Sequence, residues 1–263
     1  MIAYRPAKTQ VQKRFQTLDA RGARVQGPKR RKQRERQAVT GYYAGRLEGE
    51  RLDACYALAG PRVRQYLEAE IAHLRSRLQP GWRVLELGCG TGRVTQRLLG
   101  DERQVTGIDT APASLALAAA HTPLGAAAHW LRMDAVRLAF ADGFFDAVAC
   151  VQNGICAFGV DQAALLAEAL RVLRPGGRAI FSSYADAFWP HRLAWFEAQA
   201  AAGLLGPLDL PACRDGYIVC SDGFRSGRVT PAGFAALCAR IGVPGTVSEI
   251  DDSSVFCEII STC

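Results

Sequence analysis

The sequence has 263 residues, 49% of them apolar and 22% charged, a globular composition that excludes a collagen, a coiled coil and a wholly disordered polymer. The net charge of +7 is unevenly spread. Residues 1–40 hold 12 basic and 2 acidic side chains (Asp19, Glu35), leaving 20 basic and 23 acidic groups for the rest, and this slightly acidic body argues against a body-wide basic groove for nucleic acid.

The first 40 residues contain few large apolar side chains and the run Lys29-Arg30-Arg31-Lys32-Gln33-Arg34-Glu35-Arg36, and read as a basic, disordered arm. No apolar core of signal-peptide length follows these charges, so no secretory leader is expected. From residue 41 to 263 the pattern is that of one folded domain. Val63, Tyr66, Leu67, Ile71, Leu74 and Leu78 recur at helical spacing, which predicts a helix over 61–78 ended by Pro80-Gly81. Short apolar strands then alternate with helices: strands over 82–87, 104–108, 129–132, 145–151 and 178–184, helices over 93–99, 113–120 and 162–173. A helix over 231–241 precedes two closing strands near 245–250 and 255–260. Such alternation predicts a mostly parallel sheet covered by helices on both faces, with an antiparallel strand at one edge. Residues 186–229 break the alternation. They carry Phe188, Trp189, Trp195 and Phe196, then a Gly/Pro-rich loop and a hairpin-like stretch over 216–230, and read as an inserted cap.

The longest charge-free run, residues 110–131, is broken by Pro112, Pro123 and Gly125 and predicts no bilayer helix. Nine scattered cysteines without a C-x-x-C pair suit a reduced, cytoplasmic compartment.

The densest signal is Val84-Leu85-Glu86-Leu87-Gly88-Cys89-Gly90-Thr91-Gly92-Arg93, a strand running through glycines into a helix. Glycines let backbone approach a ligand closely, and a helix start offers free N–H groups to an anionic moiety. A dinucleotide fingerprint needs G-x-G-x-x-G; here the glycines are 88, 90 and 92 and position 93 is Arg, which breaks it.

With the residues that follow, this pattern resembles class I S-adenosylmethionine-dependent methyltransferases of the small-molecule branch, densely over 80–185 and loosely over 230–260. Glu86, Gly88, Gly90 and Gly92 match the first motif of that family, with Cys89 between them. Asp109, followed by Thr110, matches the acidic strand end that holds the ribose hydroxyls. Asp134 matches the acceptor for the adenine amine, with Ala135 beside it. The stretches 144–148 and 170–177 match the fourth-strand entry and the junction into the fifth strand. The resemblance implies a Rossmann-like α/β fold of seven strands, S-adenosylmethionine as cofactor and methyl transfer to a small-molecule O, N or S acceptor. It also suggests Tyr43 and Arg46 as part of an aromatic segment that folds over the cofactor.

Ligands of open parallel sheets bind beyond the carboxyl ends of the strands. The acceptor should therefore meet the loop after the fourth strand, where Gln152 could touch the cofactor and Asn153 and Cys156 the acceptor, with Trp195 and Arg225 supplied by the cap. This loop lacks the Asn/Asp-Pro-Pro-Tyr type of motif used for base amine methylation. Tyr184 and His191 are the candidates for a general base. Cys156, Cys213 and Cys220 could together bind a soft metalloid, although their context does not resemble that of arsenic methyltransferases; no resident metal is expected. Two rival readings stand beside this one: an RNA or protein methyltransferase tethered by the basic arm, and a non-catalytic cofactor-binding scaffold. The sequence leaves the oligomeric state open.

Overall fold

The structure is a computed structural model, and it describes residues 42–262. The basic arm over 1–40 lies outside the described residues. Short apolar strands separated by helices give nine strands and eight α-helices among those described. They run α1 (Glu50–Ala57), α2 (Pro61–Arg77), β1 (Arg83–Leu87), α3 (Arg93–Leu98), β2 (Gln104–Asp109), α4 (Pro112–Ala120), β3 (Ala128–Arg132) and β4 (Phe145–Cys150). Then follow α5 (Gly154–Ala157), α6 (Gln162–Arg171), β5 (Leu173–Tyr184), α7 (Trp189–Ala201), β6 (Ile218–Val219), β7 (Arg225–Ser226), α8 (Pro231–Ile241), β8 (Thr246–Ile250) and β9 (Ser254–Ile260).

Local chemistry sets the helix ends. Pro61, Pro112 and Pro231 begin α2, α4 and α8, where a missing N–H costs nothing. Asp161 accepts from Ala163 and Ala164 at the start of α6, and Thr230 accepts from Gly233 at the start of α8. Gly242, in the left-handed region, closes α8.

Seven strands form one sheet in the order β3-β2-β1-β4-β5-β9-β8. The first five are parallel; β9 is antiparallel to both β5 and β8. The antiparallel strand is therefore one place in from the edge, because β9 pairs on both sides and leaves β8 outermost. The period-two alternation of β1 sends Leu85 and Leu87 to one core and Val84 to another. The first core is closed by Leu165, Leu166 and Ala169 of α6 and Phe234 and Cys238 of α8. Ile71 and Leu74 of α2, with Val94 and Leu98 of α3, close the second. Strand β5 begins five residues earlier than the sequence suggests, at Leu173, with a shift of register between Phe145 and Ala147 of its neighbour.

The insertion over 186–229 builds a third core. Phe188, Trp195, Phe196, Leu205, Ile218 and Phe224 meet Tyr42, Leu47, Cys55, Val63 and Tyr66 from the segment ahead of the sheet. Helix α1, which the sequence reading did not predict, supplies part of this contact.

Candidate cofactor and acceptor site

Two cavities lie at the carboxyl ends of the parallel strands and share a wall of Tyr43, Gly88 and Ala157. The smaller, about 590 Å³ including space open to solvent, is lined by Ile108, Asp109, Thr110, Met133, Asp134, Ala135, Phe158 and Val160. The larger, about 940 Å³ on the same measure, is lined by Glu86, Cys89, Gly90 and Arg93 from the glycine loop and by Gln152 and Gly154 from the loop after β4. Tyr56 and Tyr66 of the leading helices, and Tyr184, Trp195, Phe196 and Gln199 on the cap side, complete it.

Glycine is required where the loop turns. Gly88 has φ +72°, and a Cβ there would collide with the ring of Phe158. Gly92 has φ +84°, and its Cβ would run into Trp130 and Ala118. Gly92 thus shapes the loop from beneath without lining either cavity. The Gly88 and Cys89 amides donate to the Ile108 carbonyl (2.8 and 2.9 Å), tying the loop to the end of β2. Asp109 accepts from the Gly90 amide (2.9 Å) and the Ala111 amide (2.9 Å), one carboxylate oxygen each. A carboxylate oxygen can accept more than one bond, so both remain able to take a ligand hydroxyl.

Glu86 is buried and accepts from the Thr95 hydroxyl; burial pushes its carboxyl up to about 7. Gln152 and Asn153 hold consecutive left-handed conformations, φ +55° and +62°. Side chains hold this costly turn in place. The Gln152 amide donates to Glu70 and to the Ser182 hydroxyl (2.9 Å each), and Asn153 accepts from Ser183 (2.7 Å) while donating to the Gly227 carbonyl (3.0 Å). The Gln152 side-chain oxygen accepts from Tyr56, and its buried NH₂ lacks a partner.

Of the residues singled out from sequence, Tyr43, Glu86, Gly88, Cys89, Gly90, Gln152, Tyr184 and Trp195 meet around the larger cavity. Asp109, Thr110, Asp134 and Ala135 meet around the smaller one. Others are placed elsewhere. Arg46 is exposed and bonded to Asp222 (2.5 Å), beside Tyr42 on the same carboxylate (2.6 Å); it ties the leading segment to the cap. His191 is exposed, on the solvent side of α7, and lines neither cavity. Arg225 is exposed over the ring of Tyr217. Asn153 and Cys156 lie behind the cavity walls, the first as a tie between β5 and the cap hairpin, the second packed against the α6 core. Cys213 and Cys220 belong to the cap core, apart from Cys156, and no group of three His, Cys, Asp or Glu among the described residues is arranged to hold a metal ion. Tyr184 does line the larger cavity, but burial pushes its phenol up to about 12, which makes it a donor and not a base at neutral pH.

Sequence reasoning missed Arg93, Tyr56, Tyr66 and Gln199. The first was visible directly after the glycines. The next two sit at helical spacing with Leu52, Cys55 and Leu67, a signal that reads equally as core.

The comparisons fit this geometry. Residues 84–177 match the family described as a methyltransferase domain. An arsenite methyltransferase of Aquipseudomonas alcaligenes is 37% identical over 122 residues, 41% of this chain and 35% of that one. A malonyl-[acyl-carrier protein] O-methyltransferase of Erwinia billingiae is 29% identical over 182 residues, 69% of this chain and 66% of that one. Among solved structures, magnesium protoporphyrin IX methyltransferase from Synechocystis PCC 6803 superposes with a TM-score of 0.57 at 15% identity, covering 85% of this chain and 98% of that one. Residues 84–177 thus match the methyltransferase-domain family, and they lie on the Rossmann-like sheet described above. The chain spans about a third of the length of the first curated relatives it matches (35% and 33%), and those relatives carry different acceptors in their names.

Proposed function

We propose that the chain is an S-adenosylmethionine-dependent methyltransferase acting on a small-molecule O, N or S acceptor. The observation that carries this reading is the pair of adjoining cavities with contrasting walls. One holds two carboxylates at strand ends, Asp109 and Asp134; the other is lined by aromatic side chains and the buried Glu86. Asp109 would take the ribose hydroxyls, Asp134 and the Ala135 backbone the adenine edge, and Glu86 the amine of the methionine moiety. The cradle fits such a group, since buried polar atoms of Gln152 and Arg93 in its wall are without a partner. The bound cofactor supplies a methyl group already activated on a sulfonium.

The chain's own task is then placement. Holding two reactants in line is worth roughly 7–11 kcal/mol, whereas a general base adds about 3–5 kcal/mol. No histidine lines either cavity, and Tyr184 is held neutral, so the walls act by positioning. The Gln152 amide NH₂, without a partner in the larger cavity, would orient an oxygen of the acceptor.

Calorimetry with S-adenosylhomocysteine tests the reading. Asp109→Ala removes two charge-assisted bonds of at least about 1.5 kcal/mol each, so affinity should fall about 100-fold. A parallel melting curve shows whether the Gly90 tie was also lost. Unchanged affinity in a folded variant would defeat the assignment. The charge surplus of residues 1–40 favours one other reading, a tethered enzyme acting on RNA or protein.

A further inference from the structure

We propose that Arg93 is the anchor for the α-carboxylate of the methionine end of the cofactor; this rests on the reading above and adds a residue to it. Arg93 is the first residue of α3, directly after Gly92, and it lines the larger cavity beside Glu86, Gly88 and Gly90. Its Nε and Nη2 groups are buried and have no hydrogen-bond partner, and among the described residues it forms no ion pair. The contrast with its neighbours is sharp. Arg97, one turn further, grips Glu68 with two bonds of 3.0 and 2.7 Å, and Arg103 is bonded to Asp101 and to the Leu98 carbonyl. The guanidinium of Arg93 is held against Tyr56, 4.7 Å from its ring centroid and in hydrogen-bonding reach of its hydroxyl, which fixes its position while leaving Nε and Nη2 unused.

Two buried donors on one fork are expensive to leave unmet, and a guanidinium fork matches a carboxylate in shape and charge. The opposite charge in the same wall is Glu86, which accepts from Thr95 and is not bonded to Arg93. An acid and a base that face one cavity without pairing suit a ligand bearing both charges. An α-amino acid head group is such a ligand, its ammonium toward Glu86 and its carboxylate toward Arg93. The acceptor is the less suitable source of this anion, because Arg93 stands directly after the glycine loop that would hold the cofactor.

The experiment compares S-adenosylhomocysteine with 5′-deoxy-5′-methylthioadenosine, which keeps the nucleoside and sulfur but lacks the amino acid head. Calorimetry is run on the full chain, on Arg93→Ala and on Arg93→Lys. The alanine variant should lose about 10- to 100-fold for the homocysteine ligand and nothing for the truncated one. The lysine variant should recover part of the loss, as a point charge without the fork. An unchanged affinity for S-adenosylhomocysteine would overturn the proposal. So would an equal loss for both ligands, which would make Arg93 a support for the fold. A wild-type chain that bound neither ligand would bring down the wider reading of the site, and this proposal with it.

Discussion

Glu70 and Glu86 are buried acids beneath the loops that form the site, and burial pushes each up to about 7. Their protonated forms are favoured in the fold, so the stability they contribute is present below the usual carboxylate range and is lost as pH rises through about 7. Asp146, Asp161 and Asp251 are shifted the other way, below the ordinary aspartate range, and their contribution fades only in more acidic solution. The melting temperature of the ligand-free chain should therefore decline from pH 5 to pH 8, and Glu86→Gln should decline less. Thermal melts at several pH values check this; parallel curves for the two proteins would refute it. At this scale the acid-and-glycine string was readable because strand, loop and ligand chemistry fall within ten consecutive positions. The two arginines were not. Arg46 and Arg93 look alike in a sequence, and what sends Arg46 to the surface is Asp222, distant along the chain. His191 failed for a similar reason: the phase of α7 turns Arg192, Trp195 and Phe196 inward and leaves the histidine in solvent.

The hairpin of the inserted cap is gripped from within by one buried side chain. Arg192, fully buried, donates to the carbonyls of Gly216 (2.8 Å), Ser226 (2.8 Å) and Gly227 (3.0 Å) and lies 4.2 Å from the ring centroid of Tyr184. The hairpin it grips pairs only Ile218–Ser226 and Val219–Arg225, too little to persist alone. Arg192→Met would strand the Gly216 and Ser226 carbonyls at a cost of about 1–3 kcal/mol each, the Gly227 carbonyl keeping its bond from Asn153. Hydrogen exchange should quicken over 216–227 while α6 and the parallel strands keep their protection; equal exchange in both proteins would contradict this. The cap was legible only as a departure from alternation. Its aromatics announced a core, but not that Tyr42, Cys55 and Tyr66 complete it from the other end of the chain. Helix α1 escaped notice because eight residues with two large apolar side chains, Leu52 and Tyr56, make a weak periodic signal.

For the molecule as a whole, the alternation of strands and helices predicted the parallel sheet with boundaries close to those observed. It could not say which closing strand lies inside, since β8 and β9 make the same hairpin either way; the antiparallel pairing of β9 with β5 decides it. Charge separates the arm from the body in the sequence, and this bears on the choice of substrate. On the small-molecule reading, a chain lacking residues 1–40 should keep its affinity for S-adenosylhomocysteine and its turnover. Loss of turnover together with salt-sensitive RNA binding would favour the tethered reading. Filter binding across a salt series, run beside the calorimetry, separates the two.

The wall shared by the two cavities is made of a tyrosine, a glycine and an alanine. None of the three brings a positive charge to the midpoint of a ligand reaching from one chamber into the other. A ligand with one half in each chamber must cross this narrowing on a slim joint, and a thioether or sulfonium link is one. The glycine spacing, which departs from the dinucleotide fingerprint, points the same way.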